Sequence, residues 1–345
     1  MELPENLAGL LLPWYRANRR DLPWRRDKDP YRVWISEIML QQTRVEAVKG
    51  YYIRFLKALP DIRALADCSE EQLMKLWEGL GYYSRARNLQ RAARIIVSDH
   101  GGTFPREPEQ VLALPGIGEY TAGAVCSICF DLPIPAVDGN VLRVCARVAA
   151  DRADIALPET RAEVRKVLVP LFPEKARGDF NQALMELGAT VCIPKGDPLC
   201  GACPLGEVCR SRETALWREL PVRSPKKPRL REDVTVFLLR CGERSALRKR
   251  PKAGLLAGLW EFPSLMGQLS PQEALDRAAD WGCEPLSLLE VRNREHIFTH
   301  REWRMTGYVI SCAAMPEAFQ WACPEELDTV YSLPSAFRKF IQEEQ

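Results

Sequence analysis

No apolar run in the 345 residues approaches the roughly 20 that a membrane-crossing helix needs, so no membrane span is expected. The N-terminal LAGLLLPWY is too short for an export signal, and no small-residue cleavage site follows it. The expected location is therefore the cytoplasm. Neither sign of charge dominates, with 48 basic residues against 46 acidic ones and a net charge of +2. That excludes a wholly basic nucleic-acid coat and leaves only a local basic surface. No internal repeat is evident. What is there is ordinary globular material, 46% hydrophobic and 27% charged, long enough for two domains with separate cores.

Residues 1–217 read as helical throughout. The stretch 31–59 has apolar residues at helical spacings and no internal proline. Further helices are expected over 70–79, 84–99, 107–113, 118–130, 140–150, 158–171 and 179–191, parted by Pro- or Gly-bearing turns. Residues 218–231 include ELPVRSPKKPRLR, whose prolines and cations suit a surface linker. The texture then changes. Strands are expected over 234–240, 244–251 and 300–312, and a helix over 271–282, making 232–345 a small α/β domain.

Twelve cysteines in a chain read as unexported are poor candidates for disulfides. Four of them, Cys192, Cys200, Cys203 and Cys209, crowd into CIPKGDPLCGACPLGEVC with C-x7-C-x2-C-x5-C spacing. The loops between them are short enough to turn four thiolates towards one centre. Soft sulfur ligands suit zinc or an iron–sulfur cluster, and spacing alone does not separate the two. Cys126, Cys129 and Cys145 fall on apolar helix faces and read as buried fillers.

Three polar features interrupt the helical half. In LPGIGEYTAGAV, Gly116 and Gly118 permit unusual backbone torsions and a close approach. The helix that follows offers free N–H groups and a positive dipole end, an anion site suited to phosphate. Glu37 stands in the apolar VWISEIML; such a carboxyl is either hydrogen-bonded at an edge or buried with a raised pKa, ready to deliver a proton. Asp138, in AVDGN just before a helix, reads equally as an N-cap or as an anion favoured by the helix end.

Taken together, the hairpin, AVDGN and the cysteine loop resemble the endonuclease III superfamily of helix-hairpin-helix DNA glycosylases. WISEIMLQQTRV and GLGYYSRARNL narrow the resemblance to adenine glycosylases of the MutY type. It implies an all-α helix-hairpin-helix domain with a 4Fe–4S cluster on the four cysteines, followed by a smaller α/β Nudix-like (MutT-like) domain. The family's first ligand spacing has six residues where this chain has seven, and the extra residue sits in a Gly-Asp-Pro loop able to bulge outward. The implied activity is monofunctional removal of adenine mispaired with 8-oxoguanine or guanine in duplex DNA, by a monomer. The alternative is a bifunctional endonuclease III-like enzyme for oxidised pyrimidines. That rival needs a lysine amine inside the hairpin, where this chain has Tyr120.

The resemblance also implies roles. Glu37 protonates the adenine ring at nitrogen 7, Asp138 stabilises the oxocarbenium-like sugar, Asn140 positions that site, and Tyr120 packs it. Gln42 and Tyr82 insert into the duplex beside 8-oxoguanine, and Gln41 and Thr43, which flank Gln42, are further DNA-binding residues. Arg19, Trp24, Arg25 and Gln182 lie near the adenine pocket. In the second domain, Phe298, Thr299 and His300 stand where the family has a Phe-Ser-His loop sensing 8-oxoguanine. The region SPQEALDRAADWG lacks the glutamate run of a working Nudix hydrolase, which implies recognition without hydrolysis.

Overall fold

A computed structural model describes residues 1–225 and 228–341. The chain forms two compact units, residues 1–67 with 88–225, and residues 68–87 with 226–345.

The first unit is helical. Its core gathers Leu11 and Tyr15 from the Leu7–Asn18 helix, Val141, Leu142 and Cys145 from Gly139–Ala149, and Phe180, Leu184 and Leu187 from Arg177–Thr190. The expected helix over 31–59 is two helices, Pro30–Leu40 and Val45–Ala58. Gln42 breaks it with a φ of 59°, a left-handed conformation that no helix continues through. The hairpin runs from Pro108–Ala113 to Glu119–Phe130. Gly116 turns it at φ 79°, and a Cβ there would lie 2.7 Å from Asn88 Cβ. Gly118 is the helix N-cap in extended backbone (φ −99°, ψ 177°), so it needs no glycine torsion; what it supplies is open space.

Between the Glu119–Phe130 and Gly139–Ala149 helices runs an extended segment. Buried Asn181 clamps it, accepting from Ala136 N (3.0 Å) and donating to Ile134 O (2.8 Å). That clamp delivers Asp138 to the helix start.

The second unit is built on a mixed sheet ordered β3-β2-β1-β6-β5, with β4 paired to β1 and β7 to β2. The strands are β1 Leu230–Cys241, β2 Arg244–Lys249, β3 Trp260–Glu261, β4 Ser264–Met266, β5 Pro285–Ile297, β6 Arg301–Cys312 and β7 Gln320–Ala322. β1 and β6 are parallel, and β5 and β6 form a long antiparallel hairpin. The strand β5 was not expected: most of its residues are exposed and it carries charges every few positions. The helix Pro271–Asp280 packs Ala274 and Ala278 against one face of the sheet. Phe337 and Phe340 fill the core on the other. Residues 68–87 contribute to this unit. Ser332 Oγ donates to Met74 O (3.1 Å), and Arg338 Nε to Glu78 Oε1 (2.8 Å).

The first unit ends at Pro225, inside the segment expected as a linker. Within the segment expected as a linker, residues 218–225 group with the helical unit, and β1 begins at Leu230. No described helix is long and apolar enough to cross a membrane.

Candidate active site

The Pro30–Leu40 helix starts on Asp29, whose side chain accepts from Arg32 N. Its apolar face buries Trp34, Ile35 and Met39, and Glu37 is only 6% exposed among them. Glu37 opens instead onto a cavity of about 650 Å³. Across that cavity, Tyr120, the second residue of the hairpin helix, donates its hydroxyl to Glu37 Oε2 at 2.6 Å. Burial pushes the Glu37 pKa from its ordinary 4.5 to about 7; the Tyr120 bond and the charge of Arg25 pull it down, and the Asp138 charge adds to the rise.

Asp138 caps the Gly139–Ala149 helix and lines the same cavity. Oδ1 accepts from Val141 N (2.8 Å) and Oδ2 from Asn140 Nδ2 (2.7 Å). The two readings of Asp138, cap and cavity carboxylate, thus hold at once. Burial raises its pKa against the Val141 and Asn140 bonds and the Arg143 charge. The expectation that the helix end would favour the ionised form is met by those bonds, but burial outweighs them. Asp138 still receives two hydrogen-bond donors where Glu37 receives one protein hydroxyl. Of the two carboxyls, Glu37 is therefore the one that more readily carries a proton.

Asn140 is itself held. Its Oδ1 accepts from Arg143 Nη2 (2.9 Å), which also donates to Gly188 O (2.7 Å), while Arg143 Nε donates to Cys192 O (2.8 Å). Gly188 permits this approach: a Cβ there would lie 2.6 Å from Asn140 Cβ.

Of the other residues named from sequence, Trp24, Arg25, Gln41, Gln42, Thr43, Gly118 and Gln182 all line this cavity. Arg19 does not. It is exposed with its guanidinium beside the Tyr15 ring, and its neighbour Arg20 faces the cavity instead. Gly116 shapes the turn behind the wall. Sequence reasoning missed Glu186, one turn along from Gln182. Burial opposes its ionisation, but hydrogen bonds from Arg20 and Arg25 prevail and hold its pKa at about 2. Met185 was missed as well; its sulfur lies 3.4 Å from the Tyr120 hydroxyl. The sequence's only trace of Glu186 is its helical spacing from Gln182.

The four cysteines line one small cavity with Val144, Leu187 and Trp217, and Arg147 Nη1 donates to Cys192 Sγ at 3.3 Å. Residues 194–197 are exposed, Gly196 turns at φ 73°, and Leu199 N closes the loop on Val191 O at 2.9 Å.

In the second unit, Phe298, Thr299 and His300 form the tip of the β5–β6 hairpin, closed by Phe298 N on Arg301 O (2.8 Å). Phe298 is anchored edge-on to Trp303 and His296, at 4.9 and 4.6 Å between centroids. Thr299 is exposed, and its hydroxyl hydrogen-bonds that of Tyr82, which holds a φ of 47°. The Pro271–Asp280 helix carries one glutamate, Glu273, and spends it in a capping box with Ser270.

Residues 35–170 match the HhH-GPD superfamily of base excision DNA repair proteins, and residues 235–343 match the NUDIX domain. The human adenine DNA glycosylase is 35% identical over 97% of this chain and 73% of its own length. The chain belongs to the adenine DNA glycosylases. The fission yeast member of that family is 33% identical over 94% of this chain and 87% of its own. A thermostable thymine-DNA glycosylase superposes with a TM-score of 0.55 at 30% identity, over 60% of this chain and 94% of that one. An endonuclease III–DNA complex superposes at 0.52 and 23%, over 62% and 99%, and shares the fold. This glycosylase is thus an enzyme of base excision repair whose base is adenine. The endonuclease III-like alternative is not favoured.

Proposed function

We propose that this glycosylase removes adenine mispaired with 8-oxoguanine or guanine in duplex DNA, as a monofunctional, monomeric, cytoplasmic enzyme. The observation that carries the reading is the Tyr120–Glu37 hydrogen bond in a cavity shared with Asp138. Adenine is a poor leaving group, and its departure builds positive charge on the sugar, so one acid and one anion are needed. Glu37, with a pKa near 7, is the acid that protonates adenine at nitrogen 7. Asp138 is the anion that faces the oxocarbenium-like sugar, positioned by Asn140. The base must leave the stack to reach them, and Gln42 and Tyr82 insert into the duplex to fill the gap. Among the described residues no lysine lines the cavity, which leaves no amine for a Schiff base.

In the second unit, the Tyr82–Thr299 hydroxyl pair and the anchored tip read 8-oxoguanine without hydrolysis. Cys192, Cys200, Cys203 and Cys209 hold a 4Fe–4S cluster. The small, largely apolar cavity that the four cysteines line together supports that reading. When bound, the cluster supplies a structural cross-link for its loop. Stoichiometric zinc in colourless protein overturns that assignment.

The test is incubation with duplexes carrying adenine opposite 8-oxoguanine, opposite guanine and opposite thymine. Cleavage of the first two only after hot alkali is expected. A cut without alkali makes the enzyme a lyase, and no release from either mispair overturns the proposal.

A further inference from the structure

A second cavity, of about 500 Å³, adjoins the catalytic one and shares Asp138, Gly139, Asn140 and Arg161 with it. Its far wall comes from a segment whose sequence reads as loose linker, and the structure shows it pinned. Arg147 Nε donates to Leu220 O (2.9 Å), Ile155 N donates to Val222 O (3.1 Å), and Ser224 N donates to Asp154 Oδ2 (3.1 Å). Leu220 is 2% exposed. Pinning at alternate residues leaves Arg223 exposed between them, and Arg218, which ends the 3-10 turn Leu216–Arg218, is exposed as well; both line the cavity.

Charge in this cavity is one-sided. Its cations include Arg161, Arg218 and Arg223, and its acids are Asp138 and Glu219. Glu219 is engaged by Arg152 at 2.7 Å. Arg143 and Arg147 are bound into backbone carbonyls deeper in the wall.

We propose that this cavity is a binding site for backbone phosphate of the adenine-bearing strand, with Arg218 and Arg223 as its ligands. The inference rests on the reading of duplex DNA as substrate. If Asp138 faces the sugar of the extruded nucleotide, the phosphates of that nucleotide lie within one backbone step of it. The cavity that shares Asp138 is where they run. Two guanidinium groups on a pinned segment give bidentate phosphate contacts at little ordering cost. Such contacts set register on the strand without reading sequence.

The test is the salt dependence of binding by the full chain to a duplex with a tetrahydrofuran abasic analogue opposite 8-oxoguanine, between 50 and 300 mM salt. Each phosphate contact contributes about 0.9 to the slope of log K against log salt. Arg218→Ala with Arg223→Ala is expected to reduce the slope by about 1.8, and Arg218→Lys with Arg223→Lys to restore most of it. Arg277→Ala, on the exposed helix of the second unit, should leave it unchanged. An unchanged slope in the double alanine variant overturns the proposal. So does a loss of affinity with the slope retained, which marks a structural effect. Failure of the wild type to bind this duplex or to release adenine defeats the functional reading itself and is a separate result.

Discussion

The Tyr120 hydroxyl lies 2.6 Å from Glu37 Oε2, and that hydrogen bond lowers the pKa of a carboxyl which burial has raised to about 7. A general acid acts in its protonated form, so single-turnover base release is expected to fall as pH rises through about 7. Tyr120→Phe removes the donor that steadies the carboxylate. The Glu37 pKa then rises, and the falling limb of the pH–rate profile should move to higher pH. A limb that stays in place separates Tyr120 from the proton.

The same burial has a cost for the fold. Glu37 goes from about 4.5 unfolded to about 7 folded, a difference of about 3 kcal/mol. Its protonated form favours folding below pH 4.5, and that advantage is lost as pH rises through 7. Glu37→Gln is expected to abolish base release while raising Tm at pH 8, with little change at pH 5. Equal Tm values at both pH settings contradict the buried-acid assignment.

Arg143 connects Asn140 to the backbone at Gly188 and Cys192. Its loss leaves Asn140 without its acceptor's partner and loosens the loop behind it. Charge-assisted hydrogen bonds of this kind are worth about 1.5–3 kcal/mol. Arg143→Gln should therefore lower the single-turnover rate about tenfold to a hundredfold, with the Glu37 pH limb unmoved. A shifted limb instead places Arg143 in the electrostatics of the acid.

Thr299 offers the only hydroxyl of the hairpin tip. Thr299→Val keeps its shape and removes the hydrogen bond to Tyr82. The preference for 8-oxoguanine:adenine over guanine:adenine should drop about fivefold, the worth of one neutral hydrogen bond of about 1 kcal/mol, with guanine:adenine rates held. Parallel loss on both duplexes points to a packing defect.

What could be read from the chain followed from chemistry that permits few alternatives. Four cysteines in 18 residues, a carboxyl inside VWISEIML and a Gly-x-Gly turn each admit few explanations. Sites set by a single backbone torsion were not legible. Apolar periodicity passes straight through Gln42, whose φ of 59° ends the helix. Arg19 and Arg20 look interchangeable in sequence; the extended backbone at Arg19 (ψ 135°) turns consecutive side chains to opposite sides. Glu186 resembles any helical glutamate until Arg20 and Arg25 are seen to converge on it. The allegiance of residues 68–87 depends on contacts with residues some 250 positions later, such as Met74 with Ser332, which no local pattern announces.

That allegiance bears on how such a chain can be cut and recombined. A graft that exchanges residues 232–345 for another recognition module would leave the Glu70–Trp77 helix behind. Lys75, Glu78 and Arg87 would then lose the carbonyl of Tyr331, the guanidinium of Arg338 and the carbonyl of Ala257. Chimeras should therefore exchange two pieces, 68–87 together with the C-terminal stretch, so that the heritable unit of recognition is discontinuous in the gene although contiguous in space.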